Sequence, residues 1–376
     1  MLQRIRNLRK PKVETLNTIT ISKANIINNV KLIKSLKPTS WIFPVLKSNA
    51  YGHGILQMLE ILKEEKFPYL VVDSFPEYQI IHNNSKFNIL IMWETLAENY
   101  RYYDYSRTSV VVYNLTTLNY LISLDKRIKI QLFLNTWMNR EWIQEKDLER
   151  FLKLLKNSPK IALDWVMSHL YDADVDWDNH VNLQIEAFKK MYQTIEEYGF
   201  KPRWRHIGAS AGMCCIEDEF FNAWRPGLIL YWYSPFSVEK EKLKRLKPAL
   251  SLTSSIISLQ KLQENDWVSY NHRWIANEEC WSATIPFWYY EWWLRNLGWK
   301  LTYYYHWKEL EQIGTICMNL SCCKADANMK IWDKIELISN DVNKKNSIPA
   351  IAELANTIPY EILIRLDRGI RRLIKQ

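Results

Sequence analysis

The amino-acid sequence predicts an α/β protein: a TIM-like (β/α)8 barrel followed by a mostly β domain. Short β-rich runs alternate with amphipathic, helix-like segments through the first 235 residues, which is the order of elements in such a barrel. From "KRLKPAL" (244–250) onward, the sequence alternates like strands with little helix between them. A chain of 376 residues is long for one domain. We therefore expect a barrel over residues 1–240 and a β domain over residues 241–376.

The predicted barrel strands are short and rich in β-branched and aromatic residues. They are 41–47, 69–74, 87–92, 109–114, 129–135, 161–170, 205–210 and 228–233. Residues 22–36 place Ile26, Val30 and Ile33 near one helical face, with Ser22 as the expected N-cap. A second helix is predicted over 183–199, where Gly199 ends it. The last connection, 211–226, is only partly helical in pattern.

The second domain is predicted from alternating runs that follow the barrel. They are 249–262, 267–273, 281–288, 300–320 and 333–339. One helix, over about 347–357, is expected to close the chain.

Composition and charge exclude several classes of protein. The net charge of +9 is spread along the chain, which favours a solvated surface over a nucleic-acid track. No apolar run approaches the roughly 18 residues that span a membrane, and no apolar stretch follows the basic N-terminus as in a signal peptide. The six cysteines lack metal-ligand spacing, so we expect reduced thiols, no metal and a cytoplasmic location.

Polar residues follow several predicted barrel strands, and the carboxyl ends of those strands are where barrel enzymes build their sites. They are Lys47, Arg140, His169, Ser210 and Arg225. A lysine, two arginines and a histidine, together with a serine, suit an anionic ligand such as a phosphate. For Lys47 alone, two interpretations stand equal: an amine with a role in ligand binding or catalysis, or a side chain that extends to the surface at the barrel mouth.

The stretch "PVLKSNAYGHG" (44–54) closely resembles the pyridoxal-phosphate motif of alanine racemases, with Leu46 and Ser48 as conservative departures. The resemblance continues in order along nearly the whole chain. The further matching segments are "NTWMNREW" (135–142), "WVMSHL" (165–170), "HIGASAG" (206–212), "RPGLILYWYSP" (225–235), "IPFWYYEW" (285–292), "IGTICMN" (313–319), "PYEIL" (359–363) and "DRGIRR" (367–372).

This resemblance implies an isomerase that interconverts L- and D-alanine by two-base proton transfer on pyridoxal 5'-phosphate, and so supplies D-alanine for peptidoglycan. It assigns Lys47 as the Schiff-base lysine and Lys47 and Tyr289 as the two acid–base groups. It implies a homodimer in which Tyr289 reaches the partner's site. The remaining implied roles are phosphate binding by Tyr51, Ser210, Tyr360 and the backbone at Gly227 and Leu228, ring contact by His169, contact with the pyridine nitrogen by Arg225, and substrate-carboxylate binding by Arg140 and the Met318 backbone.

Several positions depart from the family pattern. Phe133 stands where the family often has a carbamylated lysine that orients the substrate-binding arginine. Asn135, Glu291 and Asn319 replace aspartates, and Ala209 replaces an asparagine. These changes concern the carboxylate side of the site. They leave open a racemase of broader substrate choice and a homologue that binds the cofactor without catalysis.

The chain has 18 Trp and only 9 Gly, whereas average usage would give about 26 glycines. Tryptophan stands where the family pattern has glycine at ten positions: Trp93, Trp137, Trp142, Trp165, Trp232, Trp267, Trp288, Trp292, Trp307 and Trp332. Some bacterial lineages read the codon UGA as glycine, so we interpret these tryptophans as glycines encoded by UGA. An aromatic membrane belt and a base-stacking platform are the rival interpretations.

Overall fold

The computed structural model describes residues 14–174, 179–236, 241–291 and 297–376. The chain divides into two compact units. The barrel unit comprises Ser22–Ala249, and the β unit comprises the described residues up to Ile21 together with Leu250–Ile374. This division differs from the predicted one because strand β1 (Thr18–Ser22) pairs antiparallel with β10 (Leu250–Ser255), which places the start of the chain in the second unit.

The barrel unit is built on parallel strands. They are β2 (Trp41–Ile42), β3 (Leu70–Val72), β4 (Ile89–Ile91), β5 (Thr108–Val112), β6 (Ile128–Phe133), β7 (Ile161–Met167), β8 (Trp204–His206) and β9 (Ala223–Trp224). Strands β3 to β8 form one parallel sheet, and β2 pairs with β9. Backbone hydrogen bonds link Leu46 to Val71 and Arg225 to Gly208, so the two pieces close on each other. The predicted (β/α)8 barrel is confirmed.

Helices cover the outside of these strands. They are α1 (Lys23–Leu36), α2 (Ile55–Leu62), α3 (Phe75–Asn84), α4 (Leu115–Ser123), α5 (Glu145–Lys156), α6 (His180–Glu197) and α7 (Ser210–Cys215). Ser22 caps α1 as expected, because its side chain accepts a hydrogen bond from the Asn25 N–H. Gly199 follows α6 with a φ of +88°, a conformation that suits glycine and ends the helix.

The eighth strand was placed wrongly by the sequence. Residues Leu228–Tyr231 form one turn of 3-10 helix, and the eighth strand is β9. The apolar run "LILY" is fully buried in either conformation, so its hydrophobicity alone does not distinguish a strand from a tight turn.

The β unit is a nine-stranded sheet. Its other members are β11 (Ser258–Leu262), β12 (Cys280–Ile285), β13 (Thr302–Tyr305), β14 (Lys308–Ile313), β15 (Ser321–Ala325), β16 (Lys334–Ile338) and β17 (Arg371–Lys375). The strand order is β11-β12-β15-β14-β13-β16-β10-β1-β17. The predicted strand at 267–273 is wrong: three residues there, Ser269, Asn271 and His272, have positive φ, which breaks an extended run.

Two helices, rather than the one expected, precede β17: α8 (Ile348–Leu354) and α9 (Pro359–Ile364). Proline lies in the first turn of each, where its missing N–H leaves no hydrogen bond unmade. Within the described part of the chain, no helix has both the length and the hydropathy to cross a bilayer.

Candidate active site

Lys47 lies beyond the end of β2, at the start of an unusual backbone turn. The four residues that follow it, Ser48, Asn49, Ala50 and Tyr51, have φ between 51° and 55°. A left-handed turn of non-glycine residues costs roughly 1–2 kcal/mol per residue. The Asn49 side chain offsets part of this cost, because its Oδ1 accepts from the Ile55 N–H at 3.1 Å. Such strain held by local hydrogen bonds is typical of functional sites.

The Lys47 amine has two close neighbours in the barrel. Its Nζ lies 3.2 Å from Asp73 Oδ2, and it lies 5.8 Å from the centre of the Trp93 ring. The Lys47 side chain is 30% exposed, so the amine is within reach of a ligand at the barrel mouth. The structure therefore favours an amine with a role in ligand binding or catalysis over a side chain that simply extends to solvent.

A small polar cradle lies beside this turn. The buried Ser210 hydroxyl accepts from the N–H groups of Gly227 at 3.1 Å and Ile229 at 3.4 Å. A Cβ atom on Gly227 would overlap the Tyr51 hydroxyl, so only glycine lets that phenol come so close. The structure brings together four of the predicted phosphate residues, Tyr51, Ser210, Gly227 and Leu228. The N–H of Ile229 was missed, because its apolar side chain carries no signal for a backbone donor.

Arg225 is fully buried at the end of β9, and its guanidinium makes a set of hydrogen bonds. It donates to His206 Nδ1 and, at 2.8 Å, to the Ser168 carbonyl, and it lies 3.5 Å from His169 Nδ1. Burial lowers the pKa of Arg225 to about 9, so the group stays charged at neutral pH. Burial, with the charges of Arg225, Lys47 and Arg140, lowers the pKa of His169 to about 3. His169 is therefore a neutral imidazole beside three cations.

A buried network fixes the loops after β6 and β7. Gln184 on α6 donates to the carbonyls of Thr136 at 2.5 Å and His169 at 3.2 Å, and its own oxygen accepts from the Tyr171 N–H. The hydroxyls of Thr136 and Ser168 are 2.7 Å apart. Sequence reasoning missed Gln184, since a glutamine within an amphipathic helix is usually solvated.

Arg140 has an anionic partner that the sequence did not indicate. Its Nε and Nη2 lie 2.6 and 2.9 Å from the two carboxylate oxygens of Glu141. Phe133, at the position of the family's carbamylated lysine, stacks on Trp142 with ring centroids 4.3 Å apart. The Glu141 carboxylate thus supplies a negative charge beside Arg140, while the Phe133–Trp142 pair occupies the place of the family's carbamylated lysine.

The β unit brings Tyr289 and Met318 together. The Tyr290 N–H donates to the Met318 carbonyl at 3.1 Å, and the side chains of Tyr289 and Met318 are 40% and 58% exposed. Glu291, in place of the family's aspartate, accepts from the Trp288 N–H at 2.8 Å and so closes the turn that carries Tyr289. Tyr360 lies half-buried on α9 of the same unit.

The other departures have local partners or none. The Asn135 amide donates to Asn139 Oδ1 and Gln144 Oε1, and its oxygen accepts from the Asn139 N–H, which an aspartate could only partly reproduce. Ala209 stands at the N-cap of α7, where it makes no side-chain hydrogen bond. Asn319 is exposed beside Met318, and nothing in the structure explains the change from aspartate.

Four of the ten tryptophans at family glycine positions lie in glycine-type backbone. Their φ values are 74° for Trp137, 107° for Trp142, 96° for Trp232 and 77° for Trp332. Positive φ is a genuine outlier for a bulky residue. Among the described residues, Trp142 and Trp165 also bury indole N–H groups that have no hydrogen-bond partner. Trp292 lies outside the described residues.

The barrel residues fit a phosphorylated pyridine cofactor. In the Gly227 cradle the Ser210 hydroxyl accepts from the Gly227 and Ile229 N–H groups and keeps its own proton for a phosphate, and charged Arg225 beside neutral His169 provides a polar wall for a pyridine ring. Lys47 supplies an amine at the same end of the barrel. This donor set suits an anionic carbonyl cofactor that forms a Schiff base.

Comparisons with known proteins agree with this chemistry. Residues 21–235 match the sequence profile described as "Alanine racemase, N-terminal domain", and residues 249–374 match "Alanine racemase, C-terminal domain". A Helicobacter pylori (strain Shi470) protein named alanine racemase is 26% identical over 94% of this chain and 98% of its own length. A Borreliella burgdorferi (strain ZS7) alanine racemase is also 26% identical, over 94% and 96%.

Solved structures share the fold. An alanine racemase of Clostridium difficile 630 superposes with a TM-score of 0.89 at 24% identity, covering 97% of each chain. The Bacillus anthracis alanine racemase with bound L-Ala-P gives a TM-score of 0.88 at 24% identity, covering 97% of this chain and 96% of that one.

Proposed function

Because the chain belongs to the alanine racemase family, whose members use pyridoxal phosphate, we propose that it interconverts L- and D-alanine with that cofactor. The observation that supports this most is the convergence of the Lys47 amine, the Ser210–Gly227 cradle and the Arg225–His169 pair at one end of the barrel.

None of the six cysteines, all among the described residues, forms a disulfide, and we place the enzyme in the cytoplasm, where thiols stay reduced.

In this proposal the barrel holds the cofactor. Lys47 would hold it covalently, and the hydroxyls of Tyr51 and Ser210 with the backbone at Gly227 and Leu228 would hold its phosphate, joined by the hydroxyl of Tyr360 from the β unit. When bound, pyridoxal phosphate withdraws electrons from the substrate's α-carbon, which makes the proton there removable. Charged Arg225 would meet the pyridine nitrogen and keep it unprotonated, which would limit that withdrawal to what racemisation needs.

Arg140 binds the substrate carboxylate, together with the backbone at Met318. The Glu141 carboxylate holds the guanidinium by two hydrogen bonds and leaves its remaining N–H groups for the substrate. A fixed carboxylate places the α-carbon between the two acid–base groups, so that a proton leaves one face and arrives on the other.

Those two groups are Lys47 and Tyr289, and we propose a homodimer in which Tyr289 of the partner subunit completes each site. Proton removal and delivery on opposite faces need two groups that are not neighbours on one surface. Tyr289 is supported by its place on an exposed turn, which Glu291 closes and which a backbone hydrogen bond ties to Met318.

The test of this function is a racemisation assay on purified protein with each enantiomer of alanine and a panel of other amino acids. We expect both alanine enantiomers to reach the same equal mixture. Conversion of several other amino acids at comparable kcat/KM would instead support the racemase of broader substrate choice. Cofactor binding without any conversion would contradict the proposal and support the non-catalytic homologue.

Tyr289→Phe is expected to lower kcat by about 10²–10⁴-fold, because one acid–base group is lost while the aromatic ring remains. Deuterium from the solvent should then be incorporated into L- and D-alanine at unequal rates.

Mixing the Tyr289→Phe variant with Lys47→Ala should restore about a quarter of the wild-type activity, since half of the dimers are hybrids with one complete site each.

Tyr290→Phe serves as the matched control, because it removes the neighbouring exposed hydroxyl and should leave kcat near normal. Symmetric, near-normal exchange by Tyr289→Phe would contradict the acid–base role. Absence of recovery in the mixture, despite proven subunit exchange, would place the whole site within one chain.

Glu141→Gln is expected to raise KM for alanine about two- to fivefold with little change in kcat. The pair is partly exposed, so it is worth about 0.5–1 kcal/mol. Glu149→Gln, which removes an exposed carboxylate paired with Lys153, is the control and should leave KM unchanged. Steady-state kinetics check both, and an unchanged KM in Glu141→Gln would show that Arg140 is held in another way.

A further inference from the structure

The carboxylate of Asp73 lies against Lys47, the lysine proposed to be catalytic. Asp73 directly follows β3, the strand next to the Lys47 segment in the barrel, and a parallel bridge joins Val45 to Val71. Asp73 Oδ2 lies 3.2 Å from Lys47 Nζ, and the Asp73 side chain is 17% exposed. The ion pair is therefore formed at the barrel mouth, by two residues on neighbouring elements.

The backbones of both residues are held by a third group. Glu77 on α3 is 6% exposed, and its two carboxylate oxygens accept from the N–H groups of Asp73 at 3.4 Å and Asn49 at 3.2 Å. Asn49 belongs to the left-handed turn that follows Lys47. One buried carboxylate thus links the loop after β3 to that turn, and it fixes the distance from Asp73 to Lys47.

Lys47 is the cation that Asp73 contacts among the described residues. The second oxygen of Asp73, Oδ1, is buried and has no hydrogen-bond partner in the described part of the chain. The charged groups that act on Asp73 are Lys47, Glu77 and Arg140. Burial raises the pKa of Asp73, while Lys47 opposes that rise. A carboxylate with so few other partners is costly to bury unless a cation stays beside it.

We propose that Asp73 is a positioning residue for Lys47: it holds the protonated amine in place at the barrel mouth whenever Lys47 is not bonded to the cofactor. This inference rests on the proposed function. When the Lys47 amine takes a proton from the substrate's α-carbon it becomes an ammonium, and the Asp73 carboxylate balances that charge without itself gaining a proton. In the opposite direction of the reaction the Lys47 ammonium delivers a proton to that same face of the α-carbon, and the pair goes back to its starting charge.

Asp73 thereby makes Lys47 a better proton acceptor and a poorer nucleophile while it is free. A purely structural carboxylate would affect folding, but it would leave the chemical reactivity of the Lys47 amine unchanged. The reactivity of that amine therefore distinguishes the two roles, and it can be measured without racemase activity.

The experiment uses full-length protein from which the cofactor has been removed. An amine-acetylating reagent labels it at neutral pH, and mass spectrometry of the peptides gives the labelling rate of Lys47. We expect Asp73→Asn to raise that rate several-fold, because a close carboxylate favours the ammonium, which does not react with the reagent, and loss of that charge leaves more free amine. Asp73→Ser should behave alike, and Asp73→Glu should restore slow labelling in part.

Asp218→Asn is the matched control. It removes another carboxylate of the barrel unit that pairs with a lysine, Lys189, at 2.9 Å. We expect it to leave the Lys47 rate unchanged. Thermal unfolding of each variant separates a folding defect from a change in reactivity.

Equal Lys47 labelling in the unmutated protein and in folded Asp73→Asn or Asp73→Ser would overturn the assignment. So would a faster rate in Asp218→Asn, since it would show a general loosening. A protein that shows the expected labelling but no racemisation would contradict the proposed function while leaving the role of Asp73 in place.

Discussion

Lys47→Ala is expected to abolish racemisation, with a loss of at least about a thousandfold in kcat, since it removes both the covalent attachment and one acid–base group. Borohydride treatment of the unmutated holoenzyme should fix the cofactor to Lys47, and the variant should give no such adduct at the site. Peptide mass spectrometry after reduction and a racemisation assay together measure both effects.

Lys34→Ala is the control, because it removes an ion-paired lysine of the same unit, 2.5 Å from Glu65, far along α1 from the barrel mouth. It should keep its activity and its adduct. A reducible adduct at the active site of Lys47→Ala would show that another amine carries the cofactor.

The Lys47→Ala variant should also change how the free energy of unfolding depends on pH. Burial raises the pKa of Asp73 above its unfolded value, and Lys47 limits that rise. A group with a raised folded pKa stabilises the folded state below its unfolded pKa, and this contribution is lost as the pH rises through the folded pKa. The deficit in the free energy of unfolding of Lys47→Ala should therefore be larger at neutral pH than at acidic pH, as denaturant titrations can show.

Much of the barrel could be predicted from the sequence, because its signals are local. The β-rich runs at 87–92, 109–114 and 129–135 overlap β4, β5 and β6 with errors of one or two residues at each end. Strand β1 was missed because its pairing with β10 joins distant parts of the chain, and nothing in "TITIS" indicates a partner more than two hundred residues away. Long-range pairing is what a single sequence leaves open.

The site shows the same division. Lys47, Ser210 and Arg225 follow predicted strands, so the barrel rule and the family motifs located them. Asp73, Glu141 and Gln184 are polar residues in ordinary loop or helix positions, and their types occur at solvated positions throughout the chain. Only their distances to Lys47, Arg140 and the β7 loop distinguish them, and those distances support the roles proposed above. The left-handed turn after Lys47 was equally hidden, since no glycine precedes Gly52 in it.

The tryptophans give the other large expected effect. Trp137 and Trp332 are 50% and 63% exposed and have φ of 74° and 77°, so they combine strained backbone with little burial to lose. Strain in this region costs about 1–3 kcal/mol per residue, whereas glycine in place of a side chain costs about 0.5–1 kcal/mol in regular structure. Trp137→Gly and Trp332→Gly should each raise the free energy of unfolding by about 1–2 kcal/mol.

Trp41→Gly is the matched control with the opposite sign. Trp41 is 48% exposed but lies in β2, outside the positive-φ residues, and its ring meets that of Trp204 edge to face. Glycine there should lower the free energy of unfolding by at least about 0.5–1 kcal/mol. Denaturant unfolding compares the three variants, and equal losses in all of them would remove the backbone argument.

Restoring glycine at all ten positions should then turn a poorly expressed or inactive chain into an active racemase. Trp142 and Trp232 add the strain of φ at 107° and 96°, and Trp165 and Trp288 place fully buried indoles where the family has no side chain. Overpacking costs about 1–3 kcal/mol per site, and total stability is only about 5–15 kcal/mol. The overpacked interior sites and the strained turns together are enough to threaten the fold. The gene provides the direct check: we expect UGA at those ten codons, and UGG at most of them would make the tryptophans genuine and the strained turns real.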